Sequence, residues 1–324
     1  MQKPSKSCEH ARVNARRRFF AALALGAIGC GSNPIIEVDS VAWTDASLRR
    51  VWGSASDDVW AVGTNGAVLR YDGSAWHALE SNTTEQLNAV SGCGDKCAWA
   101  AGHNGTVLKW DGEAWSDVSL PDHDEELLGV WVARPNNVYM SGIKFGAALL
   151  AQFDGSDWAT ATLTQAGSLW DIWGSGEADV WTVGSARGAA GFLLHYAGTV
   201  WNYGGYEGGQ LRTIWGTAPT DVWAAGYDVP IQHWDGRGWT VVSADVYRLF
   251  SIWGSGEQDV WAVGFDGVML HYDGTWAPIE SPTTEHLWGI WGAAADDIWA
   301  AGGNGTLLHF DGASWEFSRR RVVH

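Results

Sequence analysis

Positive charge is scarce in this chain: 20 lysines and arginines stand against 37 acidic residues, for a formal net charge of −17. Six of the basic residues (Lys3, Lys6, Arg12, Arg16, Arg17 and Arg18) fall within residues 1–29, where Glu9 is the one acid. The remainder carries about −22, which repels phosphate backbones and sets nucleic acid aside as a partner. The late basic run, Arg319, Arg320 and Arg321, reads as a solvated tail. Cysteine is rare as well. The chain has four, with one close pair, Cys93 and Cys97, and no histidine cluster at matching spacing, so no metal site is expected. Long apolar runs are missing: residues 19–29 are eleven residues, too few to cross a bilayer as a helix. Charged side chains are 18% and glycines number 42, a composition suited to short strands and tight turns. The abundance lies in tryptophan, with 24 copies.

The N-terminus reads as an address. A basic stretch ends in Arg16-Arg17-Arg18-Phe19-Phe20, the apolar segment follows, and Cys30 closes it. Arg-Arg-x-Phe-Phe resembles a twin-arginine export signal, with Ala15 where Ser or Thr is usual. Ala27-Ile28-Gly29-Cys30 resembles a lipobox, with Ala27 where Leu is usual. The resemblance implies lipidation of Cys30, a signal over residues 1–29, a tether over 30–34 and a folded domain over 35–324. Two or three acyl chains would anchor the protein stably, whereas one is marginal. The rival reading is an ordinary signal peptide cut near Ala27, with Cys30 free.

The tryptophans follow a repeat. Units begin Leu-x-x-(Val/Ile)-Trp, or a close variant, at Leu48, Leu87, Leu127, Leu169, Leu211, Leu249 and Leu287, spaced 38 to 42 residues apart. A period near 40 with four short strands per unit is the signature of propeller blades. The expected fold is therefore all-β, a seven-bladed β-propeller of four-stranded antiparallel blades. In the first unit the strands are expected at residues 48–52 (a), 59–62 (b), 68–71 (c) and around Trp76 (d). Asn-Gly or Asp-Gly pairs such as Asn65-Gly66 supply positive φ between b and c, and Asp72-Gly73 is expected to do the same between c and d. Tryptophan recurs at the end of strand a (Ser91 excepted), in strand b (Tyr139 excepted) and in strand d, and reads as core.

Residues 35–43 line up with 307–315, giving eight c–d halves to seven a–b halves. The spare half either exchanges into the last blade and displaces the C-terminal copy, or sits outside, or begins an eighth blade. Two polar regularities remain. Hydroxyl and carboxylate stand four residues apart at Ser54/Asp58, Ser175/Asp179, Thr217/Asp221 and Ser255/Asp259, a staple for the a–b turn. Cys93 and Cys97 replace both partners in the second unit and read as a disulfide, which fits an oxidising compartment. His195, His233, His271 and His309 recur in strand c, one per blade and too far apart to share an ion.

Over residues 35–318 the chain resembles the bacterial tandem W-G-S-x-x-x-D-V-W-A-V-G propellers, as in Trp52-Gly53-Ser54 through Asp58-Val59-Trp60-Ala61-Val62-Gly63. Its D-G-x-x-W turns are similar to the Asp-box of sialidase-type and photosystem-assembly-factor-type propellers, although Asp and Gly are adjacent here. The resemblance implies a fold and leaves function open.

Function is sought where the copies differ. The d–a and b–c loops vary most and emerge on one face. Directly after the leading leucine stand Arg49, Asn88, Leu128, Trp170, Arg212, Phe250 and Trp288. Strand a is innermost, so these are expected to ring the channel mouth, where aromatics, guanidiniums and an amide suit a sugar, peptide or small anion. Packing between blades is the competing reading of that position. The expected role is a non-catalytic, monomeric, envelope-anchored binding or scaffold protein without a cofactor. It would take a glycan, peptide or protein partner and meet the membrane through its lipid alone. The alternatives are a sialidase-like glycoside hydrolase and an assembly factor for a membrane complex. For the hydrolase Arg49, Arg212 and Arg248 are available, but no spacing assembles a pair of catalytic acids.

Overall fold

The computed structural model describes residues 46–318, apart from 188, 189, 205, 207, 244 and 246. The signal, Cys30, the tether, the spare half at 35–43 and Arg319 to Arg321 lie outside these residues.

The first repeat forms β1 (Leu48–Ala55), β2 (Asp58–Gly63), β3 (Val68–Tyr71) and β4 (Trp76–Ala78), paired in that order and antiparallel. The pattern recurs over residues 87–117, 125–163, 166–203, 211–241, 247–279 and 287–317, giving seven blades with strands a to d. Strand b of blade 5 runs on to Val229 and pairs with strand a of blade 6 (Tyr227 with Arg248, Val229 with Tyr247), so these two blades share one eight-stranded sheet. The b–c turns follow the expected chemistry: Asn65 and Gly66 have φ of 58° and 66°, and Asn104, Asp266 and Asn304 with their glycines do the same. The c–d turns work differently. Gly73 alone is left-handed, at φ 87°, while Asp72 accepts bonds from the amides of Ser74 and Ala75 at 2.8 and 2.9 Å.

The tryptophans explain both the packing and the W-G dipeptide. Each strand-b ring is buried against the strand-c aromatic and the strand-d tryptophan of the following blade: Trp60 meets Trp110 and Trp115 at 5.0 and 5.2 Å, Trp223 meets Tyr272 and Trp276 at 4.9 and 5.7 Å. Such tilted and edge-on pairs add about 0.5–1.5 kcal/mol each to the area they bury. Each strand-a tryptophan lies instead on the glycine of the next blade's W-G. A Cβ on Gly92 would fall 2.5 Å from Trp52, one on Gly174 2.8 Å from Trp131, and one on Gly216 2.9 Å from Trp173. Blade 2 has Ser91 in place of tryptophan, and blade 3 answers with Val132 in place of glycine. The two exceptions are one substitution seen from both sides.

The ring closes by the same contacts. Trp299 of blade 7 packs on Tyr71 and Trp76 of blade 1 at 4.9 and 5.2 Å, Trp291 covers Gly53, and Gly305 N donates to Ala46 O at 2.8 Å. The C-terminal copy keeps its place: 307–310 and 315–317 form strands c and d of blade 7. Displacement of that copy by strand exchange is therefore ruled out, because each blade is built from four consecutive strands.

Candidate functional site

Strand a of every blade carries a β-bulge one residue after its leading leucine. Leu48 pairs with Gly63 and Arg50 with Val62, so Arg49 is left over. The same skip falls on Asn88, Leu128, Trp170, Arg212, Phe250 and Trp288. A bulge re-aims the side chain it carries, and here seven of them point to one end of the bore. All seven line a single cavity of about 220 Å³, together with Arg50, Gln86, Glu126 and Tyr227. The face is the one expected for the variable loops: Gly66 of a b–c turn donates to Glu85 O of a d–a loop at 2.9 Å, and Asn104 Nδ2 reaches the Glu85 carboxylate at 2.9 Å.

The mouth has two characters. Across blades 4 to 7 it is aromatic and cationic. The Arg212 guanidinium lies 3.5 Å over Trp170 and 4.1 Å from Tyr227, and Arg49 lies 4.4 Å over Trp288. Phe250 bridges the two stacks, 4.1 Å from Trp288 and 5.4 Å from Tyr227. Each arginine thus rests on a tryptophan of the preceding blade, a cation–π geometry that fixes the plane of the guanidinium. Burial pushes both arginines below their ordinary range, with Tyr227 and, for Arg49, Glu126 acting the other way. Burial pushes the Tyr227 phenol up, against the pull of Arg212, Arg248 and Arg49. Among the described residues neither Arg49 nor Arg212 has an ion-pair partner, and the Nε of each is buried without a hydrogen-bond partner. Blades 2 and 3 offer the polar side: Gln86 donates to Asn88 Oδ1 at 2.6 Å, and Glu126 lies 3.3 Å from His103.

Below the mouth a strut crosses the bore. Arg50 of blade 1 forms an ion pair with Asp171 of blade 4 and donates to Ser251 Oγ of blade 6 at 3.3 Å. Asp171 is buried and also accepts from Thr213 Oγ1 at 3.1 Å and from the amides of Ile214 and Ile172 at 3.2 and 3.0 Å. Burial raises its pKa, and Arg50 opposes that rise. Sequence reading missed Arg50, Gln86, Glu126 and Tyr227. Alternation along a strand puts neighbours on opposite faces, so Arg49 and Arg50 could not both be placed at the bore; the bulge makes it possible.

At the opposite face the two polar regularities turn out to be one. Ser54 donates to Asp58 Oδ2 at 2.6 Å while Arg70 Nε donates to Oδ1 at 2.7 Å. In blades 4 to 7 the strand-c histidine takes the place of Arg70: His195, His233, His271 and His309 share hydrogen bonds with Asp179, Asp221, Asp259 and Asp297 at 2.5, 2.6, 2.6 and 2.7 Å. Each imidazole lies against the strand-b tryptophan, as His195 does at 3.7 Å from Trp181. Blade 3 swaps the pair for amides, Gln152 donating to Asn137 at 3.0 Å. Blade 2 holds the Cys93–Cys97 disulfide. The hydroxyls bond the carboxylate and not the imidazole, so these are not nucleophile–base arrays. No group of three or more metal-ligating side chains converges among the described residues.

No protein-family model matches the chain, and neither does any curated protein. Solved structures do. YCF48 from Cyanidioschyzon merolae aligns with a TM-score of 0.65 at 20% identity over 82% of this chain and 95% of its own. A structure of YCF48 bound to D1 peptide gives 0.64 at 19%, covering 82% and 92%. The fold is a β-propeller. The WD40 propeller domain of Doa1 aligns at 0.65 with 16% identity over 86% and 94% of the two propellers, and a catalytically inactive virginiamycin B lyase from Staphylococcus aureus with quinupristin at 0.64 with 13% over 82% and 94%. One more feature of the loop face belongs with the propeller's mouth. The b–c turn of blade 3 is Phe145-Gly146 with φ of 51° and 73°, and Phe145 is 77% exposed. A positive φ on an aromatic residue costs about 1–2 kcal/mol.

Proposed function

We propose that this propeller is a non-catalytic binding or scaffold protein that holds a peptide or protein partner on its loop face, with the channel mouth as the anchoring site. One observation carries the reading. Seven positions, filled differently around the ring, are turned by the same bulge onto one cavity, whereas the opposite face repeats one carboxylate staple in five of the seven blades. Variable groups on a rigid ring form a recognition surface, and clustered Trp, Tyr and Arg are the residues that anchor interfaces. Phe145, strained and exposed on the same face, adds a contact that the fold itself does not use. The YCF48 structure with D1 peptide supports the reading by showing a propeller of this shape with a peptide bound. Glu126 is the single carboxylate among the cavity-lining residues, and Asp171 behind them is taken up by Arg50; glycoside hydrolysis needs two acids flanking the scissile bond.

The N-terminal sequence supports export and lipid anchoring at Cys30, with the propeller at the cell envelope. Affinity capture from envelope extract tests the binding role. The wild-type domain should retain a discrete partner that the Trp170→Ala/Trp288→Ala double variant loses; equal retention by both would remove the mouth as the site. Fatty-acid labelling of wild type and Cys30→Ala tests the anchor, and equal labelling would overturn it.

A further inference from the structure

The mouth is an electropositive cup set into an acidic protein. Three arginines line the cavity against the one carboxylate of Glu126, in a chain whose net charge is −17. Arg50 is already neutralised by Asp171, but among the described residues neither Arg49 nor Arg212 forms an ion pair, and Glu126 acts on Arg49 only from a distance. A half-buried cation without a counter-charge costs free energy, and an anion brought into the site offsets that cost. Stacking fixes the plane of both guanidiniums, and although Arg212 Nη2 donates weakly to Gln210 Oε1 at 3.4 Å, planar donors held in this way suit a carboxylate. Tyr227 ties the two together: it lies 4.1 Å from the Arg212 guanidinium and lines the same cavity as Arg49.

Size and surface narrow the ligand further. A cavity of about 220 Å³ is below the roughly 300–1,000 Å³ of sites that enclose drug-sized ligands, so it takes one ring-sized group. Trp170, Phe250 and Trp288 give that group flat apolar walls, and Gln86 and Asn88 face it with amides. A polyanion is disfavoured because the surrounding charge of the same sign repels it, whereas a single negative charge meets the local field of the cup.

We propose that the mouth is a carboxylate site: it binds one ring-sized group carrying a carboxylate, with Arg49 and Arg212 holding the anion and Trp170, Phe250 and Trp288 holding the ring. The proposal rests on the mouth being the binding site. The carboxylate could belong to a C-terminal aromatic residue of a peptide or to an acidic sugar, and the two sources share this chemistry.

The test is titration of the propeller with N-acetyl-L-phenylalanine and with glucuronic acid, each beside its uncharged methylamide, followed by tryptophan fluorescence and by ligand-detected NMR. At least one of the two acids should bind saturably. The methylamide should bind about tenfold more weakly than the matching acid or worse, the loss expected for removing a charge-assisted pair. Arg49→Gln and Arg212→Gln should each weaken the acid by a similar factor without shifting the thermal midpoint by more than a few degrees. Binding of the phenylalanine derivative alone assigns the site to peptide, and binding of glucuronic acid alone assigns it to sugar; both outcomes support a carboxylate. Equal binding of acid and methylamide, or binding of neither acid, overturns the proposal. If the acids fail while the tryptophan double variant still loses its captured partner, the mouth stands as a site and the carboxylate does not.

Discussion

Tryptophan 52 and glycine 92 belong to different blades, yet neither is intelligible alone. The ring of one occupies the space where the other's Cβ would stand, at 2.5 Å. Ser91 and Val132 break the pattern together, so the relation can be tested where nature suspended it. Ser91→Trp should clash with Val132 and destabilise the protein by about 1–3 kcal/mol, as overpacking does. Adding Val132→Gly should recover most of that loss in urea unfolding; additive losses would refute the coupling. A second residue-scale prediction concerns the strut. Arg50→Ala leaves Asp171 buried without its counter-ion, and the expected cost is about 3–5 kcal/mol. Arg50→Met with Asp171→Leu should restore much of it, because an apolar pair needs no compensation. A double variant no more stable than Arg50→Ala would show that the hydrogen bonds to Thr213 and Ile214, rather than charge, set the effect. At this scale the sequence showed which positions were special but not always why. The tryptophans could be assigned to the core by spacing alone, whereas the W-G dipeptide has its reason in a neighbouring blade.

Elements carry the next pair of predictions. Five c–d turns hold their aspartate below the ordinary carboxylate range through bonds to the turn: Asp72 chiefly through the Ser74 hydroxyl, and Asp111, Asp154, Asp235 and Asp311 through backbone amides. A carboxylate whose folded pKa is depressed adds stability above its unfolded pKa and loses it as pH falls through the folded value. The urea midpoint should therefore drop as pH falls below about 4, the unfolded aspartate value. Asp235→Asn, which keeps the turn acceptor and removes the charge, should flatten its share of that slope; an unchanged slope would place the acid sensitivity elsewhere. The second prediction treats the disulfide as a stand-in. Cys93→Ala should cost about 2 kcal/mol, the chain-entropy value for so short a loop. Cys93→Ser with Cys97→Asp rebuilds the polar staple beside Lys109, which already lies 5.2 Å from Trp99, and should fold with a midpoint near that of the disulfide form. Strand limits and b–c turns were readable from residue type at this scale, because Asn-Gly and Asp-Gly have few alternatives. The bulges were not: no residue preference marks them, since Arg, Asn, Leu, Trp and Phe all occupy that position. Strand a is two residues longer than the stretch of strand b it pairs with, as Leu48–Ala55 is on Asp58–Gly63, and one of the two extra residues falls after the leading leucine. The mouth residues were found by comparing copies, while Arg50 stands next to one of them and Tyr227 lies on the run-on of strand b past Gly226, where that comparison did not reach.

For the whole molecule, the period of about 40 residues was enough to name the architecture, and the count of seven followed from the leading leucines. Closure was beyond the sequence, because a spare c–d half can be placed in several ways on paper. Packing decides what becomes of the C-terminal copy: blade 7 completes itself, and Trp299 docks on blade 1 as every other strand-b aromatic docks on its neighbour. A chain beginning at residue 44 should consequently fold to the same ring, with a thermal midpoint within a few degrees of the longer form. A collapse of cooperativity in that truncation would show that residues 35–43 hold the ring shut.

The strut from Arg50 to Asp171 and Ser251 has one more consequence. With an ion pair across its axis, the ring is expected to work as a dish more than as a conduit: whatever lands in the mouth meets the Arg50 side chain as a floor. The stapled underside is then free to lie against any surface without disturbing what the upper side holds. Adaptation can rewrite one face blade by blade while the other stays the same.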